Sequence, residues 1–178
     1  LGAAAVLKRW IAEWAYSRSL VRTSSPCEII SWVELRCSDR LTEPAVVGLF
    51  KPVLLLPKHA LETLSSRQIE AVIAHETWHV RRRDNLAALL HTWVQILFWF
   101  HPLVWKIGGK LVQEREHACD EGALQDGCDP ATYAETLLCI CRRSVASRHS
   151  CAAGATGGDL SARIRAIVSA RTPSRLVF

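Results

Sequence analysis

From Leu86 to Trp105 the chain runs for twenty residues without a Lys, Arg, Asp or Glu. By length such a run could cross a bilayer as one helix. What flanks it argues for something else. Just before it stands His75-Glu76-Thr77-Trp78-His79, and just after it Glu114-Arg115-Glu116-His117-Ala118-Cys119-Asp120-Glu121. On a helix, residues four apart share a face, so His75 and His79 can reach one metal ion, and Glu116 and Asp120 form a second such pair. A straight crossing would carry the chain about 30 Å away from His79. If Glu116 is to meet the two histidines, the run must fold back on itself.

The spacing therefore predicts a helical hairpin: one arm over about 86–99, a turn at His101-Pro102, and a return arm from 103 to about 125. The arms are unequal at helical rise, roughly 30 Å from His79 to Phe100 against 21 Å from Pro102 to Glu116, so a kink near Arg83-Asp84 or a tilt is required. Arg81 to Arg83 on one side, with Lys106 and Lys110 on the other, make both ends basic. That pattern suits a cytoplasmic membrane boundary, and the arginines alone also suit a solvated helix end. The tip of the hairpin either dips into lipid or is covered by helices outside this sequence.

Two histidines with an adjacent glutamate offer neutral nitrogen ligands and a general base. A plain amphipathic helix with two surface histidines could show the same letters, but the context disfavours it. Ser65 and Gln68 form a capping box, with Leu64 and Ile69 as its hydrophobic staple. Ile69, Val72, Ile73, Glu76 and Val80 then fall on one stripe, which puts the Glu76 carboxylate on the buried side, where it is costly without a purpose. Glu116 supplies the missing third ligand, and Asp120 can hold a ligand histidine's other nitrogen in the right tautomer. The bland alternative for these acids is a solvated helix face. His91, His101 and His117 read as packing or hydrogen-bonding residues. Cys119 reads as a small buried residue and stays outside the metal shell.

Several stretches together resemble the BlaR/MecR family of membrane metallopeptidases: Val47-Gly48-Leu49-Phe50-Lys51-Pro52-Val53-Leu54-Leu55-Leu56-Pro57, then residues 75–86, then Trp99-Phe100-His101-Pro102-Leu103-Val104-Trp105, then Glu114 to Glu121, then Tyr133 to Leu138. The order and spacing run from about residue 28 to 170. The resemblance implies a zincin-like (gluzincin) domain with Zn²⁺ held by His75, His79 and Glu116, and Glu76 as the catalytic base. It also implies regulatory proteolysis in bacterial signal transduction, with a transcriptional repressor or the receptor chain itself as the protein substrate. The implied location is the bacterial cytoplasmic membrane, with the active site facing the cytoplasm. More distant CAAX-type and stress-response membrane proteases share the HExxH and ExxxD arrangement, and a non-catalytic signalling scaffold keeps the metal without the chemistry.

The rest of the chain is consistent with one mainly helical domain bearing a small sheet. Residues 1–26 read as a juxtamembrane helix carrying Trp10, Trp14 and Tyr16 among Lys8, Arg9, Arg18 and Arg22, either interfacial or packed on the domain. Residues 27–142 form the peptidase core, with a possible membrane hairpin at 86–109, and 143–178 a linker and C-terminal helix. Glu28 to Arg36 alternates as a strand. Ala45 to Phe50 and Val53 to Leu56 are shorter strands, with Pro44, Pro52 and Pro57 favouring edges. An edge beside the histidine helix can pair with an extended substrate, or the sheet simply caps the helices. A further helix runs from Ala131 to about Arg142, in which Tyr133 is either an oxyanion donor or a packing residue. Ser144 to Gly158 reads as a loop. Asp159 to Ala170 is expected as a helix with Ile164, Ile167 and Val168 inward and its arginines outward.

The chain starts at Leu1 and contains no methionine, the mark of an excerpt from a longer protein. Seven cysteines without a CxxC pair suggest a reducing compartment and mostly buried free thiols. The net charge of +5 could serve nucleic acid, but no binding motif interleaves the arginines with aromatics, so no direct nucleic-acid partner is expected.

Overall fold

The helix that bears both histidines begins at its capping box in the computed structural model, which describes residues 2–30, 33–146 and 157–170. Gln68 N donates to Ser65 Oγ and Ser65 N donates to Gln68 Oε1, which meets two of the free donors of the first turn. Leu64 and Ile69 both join the core beside it. The elements run α1 (Gly2–Thr23), β1 (Ser25–Ile30), β2 (Val33–Ser38), β3 (Ala45–Val47), β4 (Val53–Pro57), α2 (Lys58–Thr63), α3 (Ser66–Arg81), α4 (Asp84–Leu97), α5 (Pro102–Gln125), α6 (Pro130–Ala146) and α7 (Gly157–Ser169). The chain is thus mainly helical with a small sheet.

Helix α3 is central because it is apolar on two sides. Val72 and Val80 pack on Val33, Leu35, Leu54 and Leu56 of the sheet. Ala71 faces the other way, into a cluster with Ala123 of α5, Tyr133 and Ala134 of α6, and Ile167 of α7. Each fully buried leucine in such a core contributes about 1.5–3 kcal/mol. Gly122 lets α5 come close to α3, since a Cβ there would lie 2.4 Å from the Trp78 ring.

The sheet order is β1-β2-β4-β3, with β2 and β4 parallel and the other pairs antiparallel. Two expectations change here. The stretch from Glu28 to Arg36 is not one strand: Ile30 pairs with Val33, so the chain reverses between β1 and β2. Alternation on both sides of a reversal reads like one strand, so the letters do not mark it. The cysteines are not all free thiols either. A register shift between Pro26 and Glu28 sets Cys27 beside Cys37, and the two form a disulfide with Cα atoms 5.9 Å apart. Cys119, Cys128, Cys139 and Cys141 are free. Strand β3 is shorter than expected because Gly48 turns the chain at φ +103°, where a side chain would meet the Lys51 carbonyl.

The hairpin forms, and the required kink sits at Arg83, whose φ of 55° and ψ of 42° are left-handed. It ends α3 at Arg81 and redirects the chain into α4. His101 caps α5 through Nδ1, which accepts from Leu103 N, and Pro102 takes the first helical position. The uncharged run is therefore split between two helices. Among the described residues no helix is long and apolar enough to cross a membrane. The tip is nonetheless apolar and open: Leu97 and Phe100 are each 65% exposed, and Trp93, Leu103 and Ile107 are more than half exposed.

Helix α1 packs on the domain through Val6 and Leu20, with Gly2 against the Trp99 ring at the hairpin tip, while Ile11, Trp14 and Tyr16 stay exposed. Helix α6 continues to Ala146, past the expected start of a loop, the rest of which (147–156) lies outside the described residues. In α7, Ile167 is buried and Ile164 packs beside it, as expected. Val168 is half exposed, however, and Arg163 is buried. The inward face of α7 is thus rotated towards an arginine, for a reason that lies in the site.

Candidate metal centre

Helix α3 presents His75, Glu76 and His79 to one side of a cleft, and α5 presents Glu116 and Asp120 to the same place. His75 Nε2 and His79 Nε2 are 3.3 Å apart. Glu116 Oε2 lies 3.5 Å from the first and Glu116 Oε1 3.7 Å from the second. A tetrahedral ion with bonds of 2.0–2.1 Å has ligand–ligand edges of about 3.3–3.4 Å. The three donors thus stand close to the spacing that a small divalent cation would impose.

The far side of each imidazole agrees with that geometry. His79 Nδ1 lies 2.8 Å from Asp84 Oδ2. His75 Nδ1 is 2.7 Å from the Tyr133 hydroxyl, which donates to Asp120 Oδ1, itself 3.2 Å from the same nitrogen. Nδ1–H donated backward would leave each neutral imidazole with its Nε2 lone pair turned to the cleft, as a ligand histidine requires. Asp120 thus lies behind His75, the sequence having left open which of the two histidines it would face. Asp84 does the corresponding work behind His79.

Arg163 holds the carboxylates in place. Its Nε and Nη2 donate to the two oxygens of Asp120, both at 2.7 Å, and Nη1 lies 3.1 Å from Glu116 Oε2. Burial pushes both acids upward, but the hydrogen bond with His75 and the guanidinium charge outweigh it. Glu116 is held down at about 2, and Asp120 lies well below the usual carboxylate range. Burial would lower His75, yet its hydrogen bonds with Asp120 and Glu116 raise it to about 9. Glu76 is buried, lines the cleft, and has no hydrogen-bond or ion-pair partner among the described residues. Burial is the main cause that raises its pKa, ahead of the opposing charges of His75 and His79.

A second group, His79, Asp84 and Cys119, also brings three donor types together. It would use His79 Nδ1, which already faces Asp84, and the Cys119 thiol is pushed upward by burial and by Asp84. Cys119 behaves as a buried thiol against the back of the ring, outside the first group. Tyr133 serves the same layer, its hydroxyl committed to His75 and Asp120 rather than to an oxyanion. His91 packs against Gly108 and His101 caps α5, while His117 is absent from both donor groups.

The cleft has a volume of about 290 Å³ and is also lined by Ala45 and Val46 of β3 and by Pro44 just before it. Asn85 Nδ2 donates to the Val46 and Gly48 carbonyls, two residues apart and so on one edge. Sequence reasoning missed Asp84, Asn85 and Arg163. Asp84 and Asn85 had a weak signal, their place directly after the histidine helix. Arg163 had one too, since it sits four residues before Ile167 on the apolar face of α7.

The description "BlaR1 peptidase M56" belongs to a family model that matches residues 8–167. The Regulatory protein BlaR1 of Bacillus licheniformis is 31% identical over 93 residues, which cover 52% of this chain and 15% of that protein. The Methicillin resistance mecR1 proteins of Staphylococcus aureus and Staphylococcus epidermidis are each 29% identical over 108 residues, 60% of this chain and 18% of theirs. The chain thus spans less than a fifth of the length of the curated relatives it matches.

Proposed function

The chain belongs to the BlaR1 peptidase M56 family, and from that premise we propose that it is the catalytic part of a zinc-dependent endopeptidase of gluzincin type. The observation that carries the reading is the convergence of His75 Nε2, His79 Nε2 and Glu116 with each Nδ1 tied back towards a carboxylate. That donor set, two imidazoles and one carboxylate, suits zinc. When bound, zinc supplies Lewis acidity, which makes a water molecule more acidic and polarises a peptide carbonyl.

The chain's own residues do the rest. Glu76 accepts the proton of the attacking water and passes it to the leaving amine. A carboxylate raised by burial suits both halves of that transfer. Asp84 keeps His79 in the Nδ1–H tautomer, and Asp120 does the same for His75 through Tyr133. Arg163 keeps Asp120 and Glu116 ionised and oriented. An extended substrate pairs with β3 near Pro44 to Val46. Asn85 ends that pairing by occupying the Val46 and Gly48 carbonyls.

The names of the relatives, a regulatory protein and two methicillin resistance proteins, favour regulatory proteolysis over housekeeping turnover. The substrate is then a transcriptional repressor or the receptor chain itself. The exposed apolar tip of α4 and α5, with α1 beside it, favours association with the bacterial cytoplasmic membrane, the cleft opening to the cytoplasm.

The test is metal content and cleavage on one preparation. Wild type should hold one zinc per chain and cleave itself or casein. Glu116→Ala should lose the metal, and Glu76→Ala should keep it while activity falls by about 10²–10⁴. Zinc retained on Glu116→Ala would remove the third ligand from this reading. Zinc without any Glu76-dependent cleavage would leave a signalling scaffold in its place.

A further inference from the structure

Two arginines line the cleft, and the fold treats them differently. Arg163 is pinned by Asp120 and Glu116. Arg115, one residue before Glu116 on α5, is not. Its Nε is buried and finds no hydrogen-bond partner, and its guanidinium makes no ion pair among the described residues. A desolvated donor without a partner is costly and is rare in a folded protein. Arg115 is half-buried and lines the same cleft as Glu76, so this open donor is placed for an anion that arrives with the ligand.

The walls of the cleft say what kind of anion. The edge of β3, Ala45 and Val46 with Pro44 just before it, lines the same cleft as Arg115. A peptide laid along that edge turns every second side chain towards α5. The Cα atoms of Arg115 and Glu116 are about 3.8 Å apart and extended residues advance about 3.4 Å, so Arg115 can reach a side chain within about three residues of the bond under attack. A guanidinium fork matches a carboxylate with two parallel hydrogen bonds.

We propose that Arg115 is the specificity residue of this cleft, and that it selects an Asp or Glu side chain of the substrate close to the scissile bond. The proposal rests on the peptidase reading above. It adds a substrate class, peptides acidic next to the cleavage point, and it assigns Arg115 to substrate side-chain recognition, with the proton transfer left to Glu76.

The experiment uses zinc-loaded chain and fluorogenic peptides amidated at the C-terminus, in which Asp or Glu replaces Asn or Gln at one position at a time. Wild type should prefer the acid at one position by about ten- to hundred-fold in kcat/KM, mostly through KM. Arg115→Lys should keep part of that ratio, Arg115→Gln should abolish it, and Arg115→Glu should turn it towards Lys at the same position. Fluorescence anisotropy of the labelled acidic peptide on zinc-loaded Glu76→Gln should show the same order without turnover. Cleavage by wild type with no acid preference overturns the proposal and leaves the peptidase reading standing. So does a preference that survives Arg115→Gln, a uniform loss on acidic and neutral peptides alike, or a preference seen only with a free C-terminal carboxylate. If Arg115→Gln fails to fold, the wild-type map and Arg115→Lys decide the matter. Zinc bound with no peptide cleaved overturns both.

Discussion

Replacing Arg163 by methionine removes a buried guanidinium that faces the carboxylates of Asp120 and Glu116 together. The residue is 6% exposed, and its guanidinium donates to both oxygens of Asp120 at 2.7 Å and lies 3.1 Å from Glu116. Methionine is close in length and keeps the contacts of the stem, so the loss is electrostatic. Removing one partner of a buried pair costs about 3–5 kcal/mol because the other charge is stranded. Domains carry about 5–15 kcal/mol in all. For a chain of this size the loss is a fall in Tm of roughly 6–20 °C. The sign with pH follows from Asp120. Burial pushes that carboxyl up, but hydrogen bonds with His75 and Arg163 hold it below its usual range. A depressed carboxylate contributes stability that is present above the unfolded pKa of about 4 and is lost as pH falls through the native value. In Arg163→Met the stranded carboxyl rises and can escape by taking a proton, so the deficit is largest near pH 7 and shrinks towards pH 4. Urea unfolding of the metal-free chain in EDTA measures both points. The double variant Arg163→Met/Asp120→Asn should recover most of the loss, since removing both partners leaves only Glu116 short of a cation. A deficit under about 1 kcal/mol at pH 7, or one equal at pH 4 and pH 7, would refute the reasoning.

Other perturbations have equally definite outcomes. His75 is raised to about 9 against its burial by Asp120 and Glu116, so metal must displace its proton at pH 7. Zinc affinity from a chelator competition should rise about tenfold per pH unit up to about 9 and then level off. The same raised value stabilises the metal-free fold fully below about pH 6.5 and loses that contribution as pH rises through about 9. Asp84→Asn unties His79 Nδ1 from its carboxylate and should weaken zinc by about 10–100-fold while wild-type stability is largely kept; an unchanged affinity would take Asp84 out of the site. Cys27→Ser opens a loop closed over 10 residues and should cost about 3 kcal/mol in urea unfolding, an effect that disappears when wild type is reduced. Gly122→Ala drives a methyl to 2.4 Å from the Trp78 ring and should cost about 1–3 kcal/mol, with zinc affinity falling because the α3–α5 contact that carries Glu116 is displaced.

Some of this was legible in the letters because it is local. His75 and His79, and Glu116 and Asp120, lie four apart, and 3.6 residues per turn puts each pair on one face whatever else the chain does. The capping box at Ser65, the turn at His101-Pro102 and the fold-back of the uncharged run follow from spacing and reach in the same way. Other features depend on surfaces that meet across long stretches of chain. Asp84 stands behind His79 only because Arg83 adopts a left-handed turn and swings α4 back. Arg163 faces inward only because α7 docks against α5, 43 residues from its partner Asp120, and an amphipathic pattern by itself sends an arginine outward. The reversal between β1 and β2, and the disulfide it brings together, are set by strand register, which alternation leaves undetermined. Bond geometry decides which residues share a face, whereas only the packing of one element on another decides what that face meets.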